Sequence, residues 1–171
     1  MRSVCYATTL VCLGIIVPPA VAAPLAPPLS GLAFLLGTWS GAGKVTDTGG
    51  SSTGNSVFSA EANGTVMLRK DHTNLFGKDG KPAGGFDQLM VIYQEGTAIH
   101  ADYFDGAHII HYGSAQVDPG RSVVFTTTTS PSSPAFRLSY ALGESALKVG
   151  FAMAPPGGQT YRQVAAGTLR K

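Results

Sequence analysis

The sequence predicts an all-β fold: about ten short antiparallel strands closed into an up-and-down barrel, with a short helical plug at the amino-terminal end. Three observations carry this expectation. From Gly37 onward the chain runs in short segments rich in β-branched and aromatic residues, separated by Gly, Pro, Asp and Ser. Late segments alternate with period two: Phe136, Leu138, Tyr140 and Leu142 oppose Arg137, Ser139 and Ala141, and Leu147, Val149, Phe151 and Met153 oppose Lys148 and Gly150. Finally, Glu95-Gly96, Asp105-Gly106, Pro119-Gly120 and Gly143-Glu144-Ser145 are turn sequences suited to hairpins between sequential neighbours. A flat sheet of that many strands would expose two edges, which closure removes. A two-sheet sandwich is the structural alternative.

The first element is an export signal. Arg2 supplies the positive charge, Val4 to Val17 an apolar stretch too short for a comfortable membrane span, and Ala20-Val21-Ala22 the small residues of a cleavage site. Cleavage is expected after Ala22, because a cut after Ala23 would set the rigid ring of Pro24 beside the scissile bond. The expected organisation is thus 1–22 signal peptide, 23–36 proline-rich leader and short helical plug, and 37–171 barrel, in a periplasmic or secreted protein with no transmembrane segment once the signal is removed. Both cysteines, Cys5 and Cys12, leave with the signal. The remaining chain of about 150 residues must therefore hold together by its core rather than by disulfides.

Charge narrows the partners. The whole chain carries 12 Lys and Arg against 10 Asp and Glu, with no basic run. Nucleic acid is excluded as an expected partner, since phosphates demand clustered positive charge.

Within the leader, Leu32, Leu35 and Leu36 fall on one side of one or two helical turns. Strands are expected near 38–45, 55–62, 64–74, 86–94, 97–104, 107–117, 121–129, 135–142, 146–153 and 159–170. The polar segments Thr46 to Gly54, Gly77 to Gly85 and Ser130 to Pro134 read as loops around a barrel mouth. In the third strand, alternation sends one of each pair among Arg69, Lys70, Asp71 and His72 inward, which is expected to give an ion pair near the barrel end.

The hairpin around Asp105-Gly106 can be read by residue. With a two-residue type I′ turn, Tyr103 opposes His108, Ala101 opposes Ile110, His100 opposes His111 and Ile99 opposes Tyr112. Ile99, Ala101, Tyr103, His108, Ile110 and Tyr112 then share the apolar inner face. A register slip of one residue would exchange the faces. Tyr103 and His108 would form a polar pair against an apolar wall, able to orient a guest or simply to satisfy each other. With Ile110, Tyr112 and Tyr140 they are the candidate ligand-binding residues. His100, Asp102 and His111 fall on the outer face, where they have the composition of a metal set but are equally expected as solvated polar residues.

Phe34-Leu35-Leu36-Gly37-Thr38-Trp39-Ser40-Gly41-Ala42-Gly43 resembles the opening of calycin (lipocalin-like) barrels, in which a short helix precedes a Gly-x-Trp on the first strand. The resemblance implies that Trp39 closes the barrel base and packs against a basic residue of the last strand, Arg170, with Arg162 as second choice. Within that superfamily the Gly-Thr-Trp-x-Gly-x-Gly is most similar to nitrobindin-type haem barrels, which ligate iron through a histidine near the carboxyl end. No histidine follows His111 in this chain. The sequence therefore departs from that pattern, and haem is an alternative rather than an expected cofactor.

No nucleophile elbow, zinc-protease helix or phosphate loop is present, and catalytic residues are not assigned. The expected function is binding of a small apolar or amphipathic molecule. A small calycin-type enzyme, an isomerase or hydrolase using Tyr103 and His108 as acid and base, is the alternative.

Overall fold

The structure, a computed structural model, describes residues 24–171; the expected signal 1–22, with Cys5, Cys12 and the cleavage site, lies outside the described residues. Eleven strands follow a short 3₁₀ plug helix, Pro27–Leu35: β1 (Gly37–Val45), β2 (Gly50–Glu61), β3 (Val66–Phe76), β4 (Pro82–Glu95), β5 (Ala98–Phe104), β6 (Ile109–Tyr112), β7 (Ser114–Asp118), β8 (Ser122–Thr126), β9 (Ala135–Leu142), β10 (Leu147–Ala154) and β11 (Arg162–Arg170). All belong to one antiparallel sheet in the order β6-β5-β4-β3-β2-β1-β11-β10-β9-β8-β7. Every neighbour is also a sequence neighbour except β1 and β11, which pair from Ser40 with Arg170 to Val45 with Ala165. The seam lies between β6 and β7, and β5 packs against β7 to bring the two ends together. This is an up-and-down, nearly closed barrel rather than a sandwich. Among the described residues no helix is long and apolar enough to cross a membrane.

The expected strand 107–117 is two strands, β6 and β7, divided at Gly113, so the count is eleven rather than ten. Two of the three expected mouth loops are shorter than their composition suggested. β2 begins at Gly50 and β4 at Pro82, because the ladders run on through residues such as Gly54, paired with Thr73, and Gly85, paired with Asn74.

The plug differs in pitch. A 3₁₀ helix repeats every three residues, so Leu29, Leu32 and Leu35 share its inner side and are almost completely buried, while Leu36 follows the helix. Burying each leucine contributes about 1.5–3 kcal/mol. Two backbone bonds fix the plug across one end of the barrel: Ala26 N–H donates to Gly64 O (2.9 Å) and Gly120 N–H to Gly31 O (3.0 Å).

Trp39 stands directly above this plug, 3% exposed, and its indole N–H donates to the Leu35 carbonyl at 2.6 Å. The cation over its ring is Lys171, with Nζ 4.7 Å from the centroid. Arg170, expected in that place, is exposed. It pairs with outward-facing Ser40, and side chains alternate along a strand, so Arg170 shares the outer face. Arg162 lies at the opposite end of β11, 2.5 Å from Asp47.

Candidate functional site

The base half of the barrel is filled. Trp39, Phe58, Met67, Ile92 and Leu147 pack onto the plug leucines, and Phe58 meets Tyr140 edge to face at 5.6 Å. The mouth half is not filled, for a reason written in three adjacent strands. Inward positions are Gly41 and Gly43 on β1, Ser52, Gly54 and Ser56 on β2, and Ala165 and Gly167 on β11. Gly41 also permits the backbones to approach, since a Cβ there would overlap the Thr168 carbonyl of β11. Side chains this small leave a cavity of about 630 Å³ in the mouth half of the barrel, away from the plug. Its walls are apolar: Phe136, Leu138, Val149 and Phe151 on one side, Leu75 and Phe86 on the other.

One polar cluster interrupts them. Arg69 and Asp71, two residues apart on β3, both point inward, and both side chains are more than nine-tenths buried. Arg69 Nη2 donates to Asp71 Oδ2 and, at 3.1 Å, to Gln88 Oε1, while Gln88 Nε2 donates to Thr73 Oγ1 at 2.9 Å. The guanidinium also lies 5.7 Å from the centroid of the Tyr140 ring. Arg69 Nε, Asp71 Oδ1 and the Tyr140 hydroxyl are buried and have no hydrogen-bond partner. Buried polar groups are ordinarily paired, and an unmet one costs about 1–3 kcal/mol.

Three tyrosines complete the wall. Burial pushes the Tyr140 phenol up to about 12, with nearby Arg69 acting in the opposite sense. Burial likewise raises Tyr103, reinforced by Asp105, and Tyr112. All three therefore stay protonated at neutral pH.

Tyr103, Ile110, Tyr112 and Tyr140 line the cavity. The hairpin that carries the first three differs from expectation by two residues of register. Tyr103 pairs with Ile110, Ala101 with Tyr112 and Asp102 with His111, so Ala101, Tyr103, Ile110 and Tyr112 keep the inner face although the partners change. The cause is Asp105. Its carboxylate accepts the backbone N–H groups of Ala107 (3.0 Å) and His108 (2.7 Å), which holds residues 105–108 in a longer turn than the two-residue type I′ form. His108 consequently leaves the strand. It sits at the cavity mouth, mostly exposed, with Nδ1 3.1 Å from Asp105 Oδ2, and the Tyr103 hydroxyl donates to that same oxygen at 3.2 Å. Tyr103 and His108 are therefore joined through Asp105 rather than to each other. Asp105 is held below its usual value: burial works against its ionisation, but the two backbone donors and the His108 ring outweigh it.

On the outer face His111 Nδ1 lies 2.7 Å from Asp102 Oδ1, and the Tyr93 hydroxyl donates to Asp102 Oδ2 at 3.2 Å. His100 instead stacks on the Tyr93 ring, 5.9 Å between centroids. These residues form no group of three metal ligands.

His72, His100 and His111 lie on the outside, His108 is turned to Asp105 at the mouth, and the interior phenols are protonated. Among the described residues, the one imidazole on the cavity lining is thus that of His108, at the mouth.

Alternation predicted an ion pair near the barrel end among Arg69, Lys70, Asp71 and His72 without saying which of them face inward; the structure turns Arg69 and Asp71 inward, onto the cavity wall beside Gln88. Their signal was two charges at inward spacing in a strand whose neighbours Met67 and Thr73 face the same way.

In comparison with known proteins, the chain matches no family model, and no curated protein has significant sequence similarity to it.

Proposed function

We propose that this is an exported, calycin-like barrel that binds a small amphipathic molecule in its mouth-half cavity. The observation that carries the reading is the cavity itself. At about 630 Å³ it lies within the range of about 300–1,000 Å³ typical of small-molecule sites, with apolar walls and a few convergent polar groups. The small inward residues of β2, β1 and β11 support it, because a barrel under selection for stability alone would fill that space. The calycin kinship rests on the Gly37-Thr38-Trp39 opening, the plug and the up-and-down topology.

The test is native mass spectrometry of the protein as secreted, followed by solvent extraction. A single guest with an apolar body, released only on unfolding, is the expected result. Protein that carries none and takes up no apolar dye, while folded, would remove the proposal. The same spectrum checks the export claim: the mature chain should begin at Ala23.

A further inference from the structure

Given the binding reading, on which this inference rests, the cavity also restricts the guest's polar group. The relevant fact is the charge balance around the cavity. Among the described residues its lining contains, besides tyrosines, four ionisable side chains: Arg69, Asp71, Asp105 and His108. Arg69 is already neutralised by Asp71, and both are buried. Asp105 adds a carboxylate at the mouth, beside His108.

An anionic guest would meet no free positive charge in the interior, and Asp71 would repel it from Arg69. A cationic guest beside the pair would meet Arg69 in the same way, and Asp105 is already taken up by the backbone N–H groups of Ala107 and His108, the His108 ring and the Tyr103 hydroxyl. In either case an uncompensated charge enters a low-dielectric space, which is costly. Hydrogen-bonding capacity is a different matter. Arg69 Nε is an unused donor, Asp71 Oδ1 an unused acceptor, and the Tyr140 hydroxyl can act as either. A guest group with both an acceptor and a donor complements this set, whereas one with acceptors alone leaves Asp71 unmet.

We infer that the guest bears an electrically neutral polar group that both donates and accepts hydrogen bonds, such as an amide or a hydroxyl, next to the Arg69–Asp71 pair, and that its apolar body lies against Phe136, Leu138 and Phe151. A barrel built for carboxylates would leave the arginine free. Here its strand neighbour on the same face is the counter-charge.

The experiment displaces the neutral dye N-phenyl-1-naphthylamine from the mature protein with four probes of equal chain length at mildly alkaline pH. Decanamide should compete best, methyl decanoate about tenfold less well, and decanoate and decylammonium at least about tenfold less well than the amide. Replacing the pair by an apolar one, Arg69→Met with Asp71→Leu, removes both charges together and should preserve folding, checked by its melting curve. In that variant the advantage of amide over ester should shrink to within about threefold while the dye still binds. Either ion competing as well as the amide, or an amide advantage unchanged in the double variant, overturns the head-group inference and leaves the binding reading intact. A folded protein that takes up no dye overturns the binding reading and this inference with it.

Discussion

The two halves of the barrel share the same strands but are lined in opposite ways. Toward the plug, inward positions carry Trp39, Phe58, Met67, Ile92 and Leu147, which belong to one buried cluster with the plug leucines. Toward the mouth, the same β1 and β2 turn Gly41, Gly43, Ser52, Gly54 and Ser56 inward, and a cavity results. Strand pairing is continuous through both halves, from Gly37 with Phe58 to Val45 with Gly50. Backbone hydrogen bonds therefore hold the mouth half as a frame, and side-chain packing holds the base half as a core. Side-chain packing is concentrated at the base, and the binding proposal assigns recognition to the mouth.

This contrast can be broken most severely at the base. Trp39→Ala should destabilise the protein by about 3–5 kcal/mol in urea unfolding, because the plug and rigid strands cannot collapse into the space. An unchanged midpoint would show that Trp39 does not close the base. A middle-sized effect is expected at high pH. Tyr140 is held protonated in the folded state up to about 12, against an ordinary value of 10.0. Its contribution is thus fully present below about pH 10 and lost as pH rises toward the folded value. Stability should decline across that window, and the 295 nm tyrosinate absorbance should rise in step with unfolding rather than ahead of it. The smallest effect belongs to the outer face: Arg170→Ala should change stability by less than about 0.5 kcal/mol. A large loss there would restore Arg170 to the base-closing role that Lys171 occupies.

The parts of the fold legible in the sequence are those where one face is dry. β9 and β10 showed their inner sides as Phe136, Leu138 and Tyr140, and as Leu147, Val149, Phe151 and Met153, because alternation against polar neighbours reports burial directly, although Leu142, expected with the first set, is exposed at the end of β9. The inner face of β5 and β6 was legible for a further reason: the turn moved the register by two residues, and an even shift preserves the faces. His108 was misplaced because Asp-Gly is also compatible with a longer turn, in which the aspartate binds the backbone two and three residues on. Residues 50–54 were taken for loop by composition. Their Ser and Gly are the inward side chains of a strand that borders a cavity, and periodicity of hydrophobicity cannot register a space. The cation over Trp39 was misassigned by one residue for the reason that governs all strands: Arg170 and Lys171 leave the chain on opposite sides.

The central claim is that the mouth half, and not the surface, takes up the guest. Val149→Trp together with Ala165→Trp adds bulk to two inward positions of the cavity wall, and Lys148→Trp adds the same side chain to the outer face of β10. Fluorescence titration with N-phenyl-1-naphthylamine should give one site in the wild-type protein, affinity reduced by at least about tenfold in the double variant, and an unaltered site in Lys148→Trp. Binding that survives the filled cavity, with all three proteins equally folded, would contradict the account.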